Sequence, residues 1–329
     1  MTGLDFGHSR IKLLQVRKKK TAPTLEKAFV FPAPAAGPEG VSAQALSDAL
    51  SGAFKASGIK PKNLVISVGS PHYSILRLEL PPTDPVETQE AIRWNIEALL
   101  PFPIDRALMD HRVVPAEAGD PPTKLTTRLV VAVDRDAVSF HLDVLDRMGL
   151  KAQRAQVGPV ALLEAYRNVY PVTPKQTIAL IDIGHLGTGM TLVTGGRLRL
   201  HRVAPVGGSH LISAFAREQQ LDEPEALRKF STFQSATPLS RPLQTLAARV
   251  ERFFQYFEDL NPTEQVAGIY LCGAAATVPG LPEQLSETFR ETVQLFDPIA
   301  RSGQTTAPAD PRVLGAPTSA LAVCWGLVV

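Results

Sequence analysis

Two stretches far apart in the chain repeat one pattern. Gly3-Leu4-Asp5-Phe6-Gly7-His8-Ser9-Arg10-Ile11-Lys12-Leu13-Leu14 and Ala179-Leu180-Ile181-Asp182-Ile183-Gly184-His185-Leu186-Gly187-Thr188-Gly189-Met190-Thr191-Leu192-Val193 each pass from an apolar approach through Asp-x-Gly and a small polar turn into a second apolar run. Each reads as a β-hairpin with a carboxylate and a glycine at its bend. Glycine permits the sharp turn and leaves backbone N–H groups uncovered, so such a bend can wrap an anion such as phosphate. The Asp beside it suits a hydrated divalent cation, because Mg²⁺ keeps most of its waters and takes one or two carboxylates. Either hairpin alone reads as an ordinary turn. The pair, one near the start of each half, implies a duplicated α/β fold with a phosphate between the halves.

A third element is Ile269-Tyr270-Leu271-Cys272-Gly273-Ala274-Ala275-Ala276-Thr277-Val278-Pro279-Gly280-Leu281: a strand, a small-residue loop, then a helix to about Arg290. Small residues after a strand let a flat ligand or a backbone approach closely. In this order the three elements resemble the phosphate-1, phosphate-2 and adenosine segments of the actin-like ATPase superfamily. Within it, the chain resembles the PilM family of type IV pilus assembly. Ala91–Asp105 resembles that family's helix followed by a Pro-Phe segment, His201–Gly208 its Arg…Gly-Gly stretch, and Ala247–Phe257 the long helix before the adenosine loop. The resemblance covers essentially the whole chain and implies an α/β, actin-like (ribonuclease H-like, duplicated) fold with an inserted α+β subdomain, called 1C, as in the division protein FtsA.

The resemblance also implies a nucleotide site for ATP or ADP with Mg²⁺. Asp5, Gly7, His8, Ser9 and Lys12 would supply the first turn, and Asp182, Gly184, Gly187 and Thr188 the second. Gly207, Gly208, Gly273, Ala274 and Ala275 would complete it, with Asp5 and Asp182 holding Mg²⁺ through water. The chain departs from the family in the loop before the adenosine helix, usually glycine-rich, where Ala274 and Ala275 place two methyl groups. Glu225 and Lys229 stand near the family's ribose-holding pair but at another spacing, and Arg249 replaces an acidic residue. Gln156 is the candidate for orienting a hydrolytic water. These departures set the expectation of weak or absent nucleotide binding and negligible turnover, at most a slow ATPase.

The bulk properties exclude other classes. The 329 residues suffice for substantial cores, and a net charge of +2 announces no nucleic-acid groove. Arg17-Lys18-Lys19-Lys20 reads as a solvated hairpin tip. The first hairpin begins almost at Met1, leaving no room for a signal peptide, and Cys272 and Cys324 lie in apolar runs with no metal-ligand spacing, which suits a reducing compartment. The apolar segment Val313–Val329 is shorter than the ~20 residues of a spanning helix and reads as a buried helix packed on the first domain, entered through Pro317. The expected location is cytoplasmic, peripheral to the inner membrane through partners and without direct insertion.

The chain is expected to divide into subdomain 1A (1–84, 154–171 and 306–329), inserted subdomain 1C (85–153), 2A (172–208 and 266–305) and 2B (209–265). Pro171–Lys175 is the crossover, and a turn is expected around Gly119-Asp120-Pro121-Pro122. Helices are expected at Ala43–Ser57, Val86–Leu100, Asp136–Gly149, Val157–Tyr170, Ser209–Gln219, Glu223–Phe230 and Leu243–Leu260. The last carries Leu243, Leu246, Ala247, Val250, Phe253, Phe254, Phe257 and Leu260 on one face, the spacing of core packing. Val86–Leu100 has apolar residues on two sides, and the second side either meets 1A or lines a partner groove. Resemblance to the PilM family implies such a groove between 1A and 1C, with Ile92 and Trp94 as its candidates. Its occupant would be the cytoplasmic N-terminal peptide of a PilN-like inner-membrane protein, with other platform and motor components as further partners. Two alternatives stay open: the cytoplasmic module of a type II secretion platform, and a slow ATPase or sugar-kinase-like enzyme of the same superfamily.

Overall fold

The computed structural model describes residues 1–18, 23–35, 40–115, 124–222, 225–226, 229, 240–278, 280–303 and 316–329. The first half runs β1 (Thr2–Phe6), β2 (Arg10–Lys18), β3 (Pro23–Pro32), α1 (Ala43–Ser57), β4 (Leu64–Val68), β5 (Tyr73–Leu80), α2 (Pro85–Ile96), β6 (Ala107–Val113), β7 (Thr126–Asp134), α3 (Arg135–Asp146), β8 (Ala152–Val157) and α4 (Gly158–Val169). The second runs β9 (Thr177–Ile183), β10 (Thr188–Thr194), β11 (Arg197–Ala204), α5 (Gly208–Gln219), α6 (Ser240–Leu260), β12 (Val266–Cys272), α7 (Leu281–Thr288), β13 (Thr292–Leu295), α8 (Pro298–Ser302) and α9 (Ala322–Val328).

The duplication is explicit in the sheets. The first has order β3-β2-β1-β4-β8 and the second β11-β10-β9-β12-β13, both five-stranded. In each, an antiparallel meander is followed by two parallel strands reached by helical crossovers. β1 is buried along most of its length and β9 almost throughout, because helices cover both faces of each sheet. α1 lays Leu46, Leu50 and Phe54 on Leu4, Ile11 and Leu13, together with Val144 and Leu145 of α3. α5, α6 and α7 cover the outer face of the second sheet around Ile181, Met190 and Leu192.

The inner faces share one core. α4 and α9 pack on Leu14, Val16 and Val65 of the first sheet, while Ile178, Leu180, Val193 and Tyr270 of the second belong to the same buried cluster. Tyr166, Tyr170, Tyr270 and Phe296 form an aromatic group there, and the Arg301 guanidinium sits 3.9 Å over the Tyr170 ring. Arg167 of α4 donates from Nε to the Gly196 carbonyl at 2.7 Å, tying the first half to the β10–β11 turn. α9 is buried along its length, and a Cβ at Gly326 would overlap the Ala161 carbonyl, so this crossing exists only with glycine there.

The inserted block differs from its expected bounds. Its three-stranded sheet, order β5-β7-β6, includes Tyr73–Leu80, so by pairing the block begins at β5 rather than at residue 85. At its other end, α3 packs against α1 and β8 pairs with β4, so both serve the first sheet. β8 escaped the sequence reading because Gln153 and Arg154 make it short and polar. Leu260 is 63% exposed at the end of α6, while its seven apolar partners are buried as expected. Lys19, Lys20, the Gly119–Pro122 turn and most of Glu223–Phe230 lie outside the described residues.

Candidate functional site

Because the hairpin bends of β1–β2 and β9–β10 occupy equivalent places in the duplicated sheets, both open into one cavity of about 940 Å³ between the halves. Asp5, Gly7, His8, Ser9, Lys12, Asp182, Gly184, Gly187 and Ala274 line it. Asp5 and Lys12 are opposite each other in the β1–β2 register, with Lys12 Nζ 2.7 Å from Asp5 Oδ2. Ser67 of β4 donates to Asp5 Oδ1 at 2.5 Å and accepts from the Phe6 N–H at 3.2 Å. Burial opposes the charge on Asp5, but the Lys12 ammonium and the Ser67 hydroxyl outweigh it and hold the carboxyl below its ordinary range. Lys12 moves upward: burial disfavours its charge, and the fields of Asp5 and Asp182 more than compensate.

Asp182 is treated differently. Burial, with the charge of Asp5, raises its carboxyl against the opposing pull of Lys12. Unlike Asp5, it makes no side-chain hydrogen bond among the described residues. It is the carboxylate available to a hydrated cation, and Gly273 makes room for it. Gly273 has φ +92°, and a side chain there would collide with Asp182 Oδ1 and the Ile183 carbonyl. A Mg²⁺–polyphosphate fits the residues present: a carboxylate without a side-chain hydrogen bond among the described residues, a fixed ammonium, and a glycine turn from each half at the cavity wall.

Five expected nucleotide residues do not line the cavity. Thr188 is fully buried and donates from Oγ1 to the Val206 carbonyl at 2.7 Å. Gly207 packs so closely on Gly184, His185 and Gly187 that a Cβ would meet their backbone at 2.7 Å, and it braces the second turn. Gly208 and Gly273 likewise support it, and Ala275 is buried in the second-half core, so only the Ala274 methyl reaches the cleft. Glu225 and Lys229 ion-pair with each other at 2.8 Å. Gln156 lies in β8 opposite Ser67, not at a helix start. Its Oε1 is buried without a hydrogen-bond partner among the described residues, and it does not line the cavity.

The structure separates the two partner-groove candidates. Ile92 is 1% exposed, in the core of the inserted block with Leu80, Ile96 and Phe102. Trp94 is 79% exposed and lines neither the main cavity nor the smaller groove beside it. The apolar wall of the cleft comes instead from Leu76, Leu99, Leu100 and Pro101, with Leu186 and Val203 opposite. Sequence reasoning missed these because an apolar segment beyond a helix end has no periodicity to expose it. It also missed Ser67 and the pair Tyr73–His201; a buried histidine in a strand gives no motif.

Duplicated sheets, a split cleft with one Asp-x-Gly turn from each half and an inserted block before β8 define a protein of the actin-like ATPase fold. The chain belongs to the family of type IV pilus assembly protein PilM, whose family model matches residues 3–329. Among solved structures it is similar to the PilM-PilN type IV pilus biogenesis complex, at 22% identity and TM-score 0.85, covering 99% of this chain and 96% of that one. It is also similar to ethanolamine utilization protein EutJ from Carboxydothermus hydrogenoformans, at 16% identity and TM-score 0.54, over 99% and 88% of the two chains. The activator of the 2-hydroxyisocaproyl-CoA dehydratase from Clostridium difficile, with bound ADPNP, matches at 12% identity and TM-score 0.50, over 99% and 92%. Among the described residues no helix is long and apolar enough to cross a membrane.

Proposed function

We propose that the chain is a cytoplasmic adaptor of a type IV pilus inner-membrane platform that grips the N-terminal cytoplasmic peptide of a PilN-like membrane protein. Family membership over residues 3–329 carries this reading, supported by a cleft with one polar and one apolar end. The peptide's apolar anchors would seat against Leu76, Leu99 and Pro101, the wall that the inserted block adds to the cleft. Leu99 is 57% exposed there, an apolar side chain that binding would cover.

The polar end would hold ADP or ATP with Mg²⁺. Asp182 would take the hydrated cation, Lys12 would face the phosphates, and the turns at Gly7 and Gly184 would lie against them, the Gly184 N–H being held by the Gly187 carbonyl at 3.0 Å. Bound Mg²⁺ would neutralise phosphate charge; Gln156 does not line the cavity, and turnover would be negligible. Nucleotide shifts peptide affinity only as far as it binds the open and closed cleft differently.

The test is a calorimetric titration with the N-terminal peptide of the neighbouring membrane component. Wild type and Trp94→Ala should bind alike, and Leu99→Asp should weaken binding by about tenfold or more, the loss of ~1.4 kcal/mol of apolar contact. Absence of binding to wild type removes the adaptor reading, and unchanged binding by the Leu99 variant moves the groove elsewhere.

A further inference from the structure

The two cleft turns share more than Asp-x-Gly. Asp5-Phe6-Gly7-His8 and Asp182-Ile183-Gly184-His185 both end in histidine, and the duplicated hairpins bring His8 and His185 to the same cavity from opposite halves. His8 is exposed to it and His185 half-buried. Burial lowers the His8 imidazole, and the fields of His72 and His185 lower it further against the pull of Asp5. Both turns open on one cavity, from opposite halves.

The fixed charges around them decide what this pair can do. On the cleft floor Lys12 cancels Asp5 and leaves Asp182, a surplus of negative charge that opposes a polyphosphate. Arg10 and Arg202 stand at the exposed rim, where solvent screens them. The charge of His72 lowers both His8 and His141, after burial, and His141 stacks on Phe6 at 4.1 Å. Ser209 donates to the His185 carbonyl at 2.9 Å and fixes the second turn. Two imidazolium rings facing each other without an anion repel; with an anion between them both are attracted to it.

We infer that a polyphosphate enters this cleft together with protons, taken up by His8 and His185 so that one imidazolium from each half faces the anion. The inference rests on the nucleotide site proposed above and adds its regulation. Phosphate binding and closure of the halves strengthen as pH falls through the histidine range and weaken as it rises.

The experiment is calorimetry of Mg-ADP, Mg-ATP and pyrophosphate at pH 6, 7 and 8 in buffers of high and low ionisation enthalpy. Wild type is compared with the His8→Gln/His185→Gln double variant, and subtracting the variant removes the ligand's own ionisation. Wild type should take up about one proton more than the variant at pH 7, and its affinity relative to the variant's should be about tenfold greater at pH 6 than at pH 8, the variant following only the ligand's own ionisation. A second measurement needs no ligand: the NMR titration of His8 should shift upward in His185→Gln. Binding with equal proton uptake by both proteins overturns the inference and leaves the nucleotide site standing. No binding heat with any of the three at any pH overturns both. A His8 titration unmoved by His185→Gln overturns the facing pair.

Discussion

The Tyr73 hydroxyl lies 3.3 Å from His201 Nε2, a buried bond from β5, an edge strand of the inserted sheet, to β11, an edge strand of the second half. Thr191 holds the other ring nitrogen at 2.9 Å, so the imidazole is fixed at both ends. Burial, with Arg202 beside it, pushes His201 down to about 3, and the ring is neutral at physiological pH. This neutral histidine helps to fasten the inserted block to the opposite half, where Arg197 also donates to the Pro115 carbonyl at 3.4 Å and Ile75 and Leu129 share a buried cluster with Leu198.

Tyr73→Phe removes that bond and leaves a buried ring nitrogen without its partner. The expected cost is about 1–2 kcal/mol, read as a lowered urea midpoint with an unchanged slope.

The same histidine makes stability depend on pH. In the unfolded chain an imidazole binds its proton below about 6.5, whereas folded His201 stays neutral down to about 3. The unfolded state binds more protons in between, so this contribution is complete above about pH 6.5 and is lost as pH falls, at up to ~1.4 kcal/mol per pH unit. Urea midpoints of wild type and His201→Asn at pH 7.5 and 5 should show a steeper loss in wild type. Parallel losses would assign the acid sensitivity to other groups.

The two cleft carboxylates should separate cleanly. Asp5→Asn deprives the buried Lys12 ammonium of its direct partner and should cost about 3 kcal/mol of stability. Asp182→Asn removes a carboxylate without a hydrogen-bonding partner and relieves its repulsion with Asp5. The free protein should be as stable as wild type or more so, while Mg-dependent nucleotide binding disappears. Thermal melts with and without Mg-ADP distinguish the two.

Gly326→Ala forces a methyl group into the Ala161 carbonyl. Overpacking of this kind should cost about 2 kcal/mol or more, and hydrogen exchange should quicken in α4 and α9 together.

What the sequence revealed was periodic or repeated. The two Asp-x-Gly hairpins, the apolar face of α6 and the buried C-terminal helix were legible because each has a spacing that polarity follows. β8 was not, since Arg154 and Gln153 give it the look of a loop, and only pairing with Ser67 and its neighbours makes it a strand. In the site, the turn residues that face the cleft were found, but Thr188 and Ala275 were placed there by chain proximity although their side chains turn into the core. For Trp94 the helix pattern reads the same whether the ring meets a groove or open solvent; in the folded protein it is 79% exposed and outside the main cavity.

The burial of α9 against α4, over the strand that begins the chain, sets the order in which the first half can be completed. The ribosome delivers β1 before the second half, and residues 322–328 only after all of the second half has emerged. Until then α4 covers the inner face of the first sheet without α9, and its groove at Ala161 that receives Gly326 stays open. Domains usually fold in turn as they leave the tunnel, N-terminal first. Here the earlier half has to wait for the later one, and a nascent chain stalled before residue 322 would present an open apolar layer to chaperones.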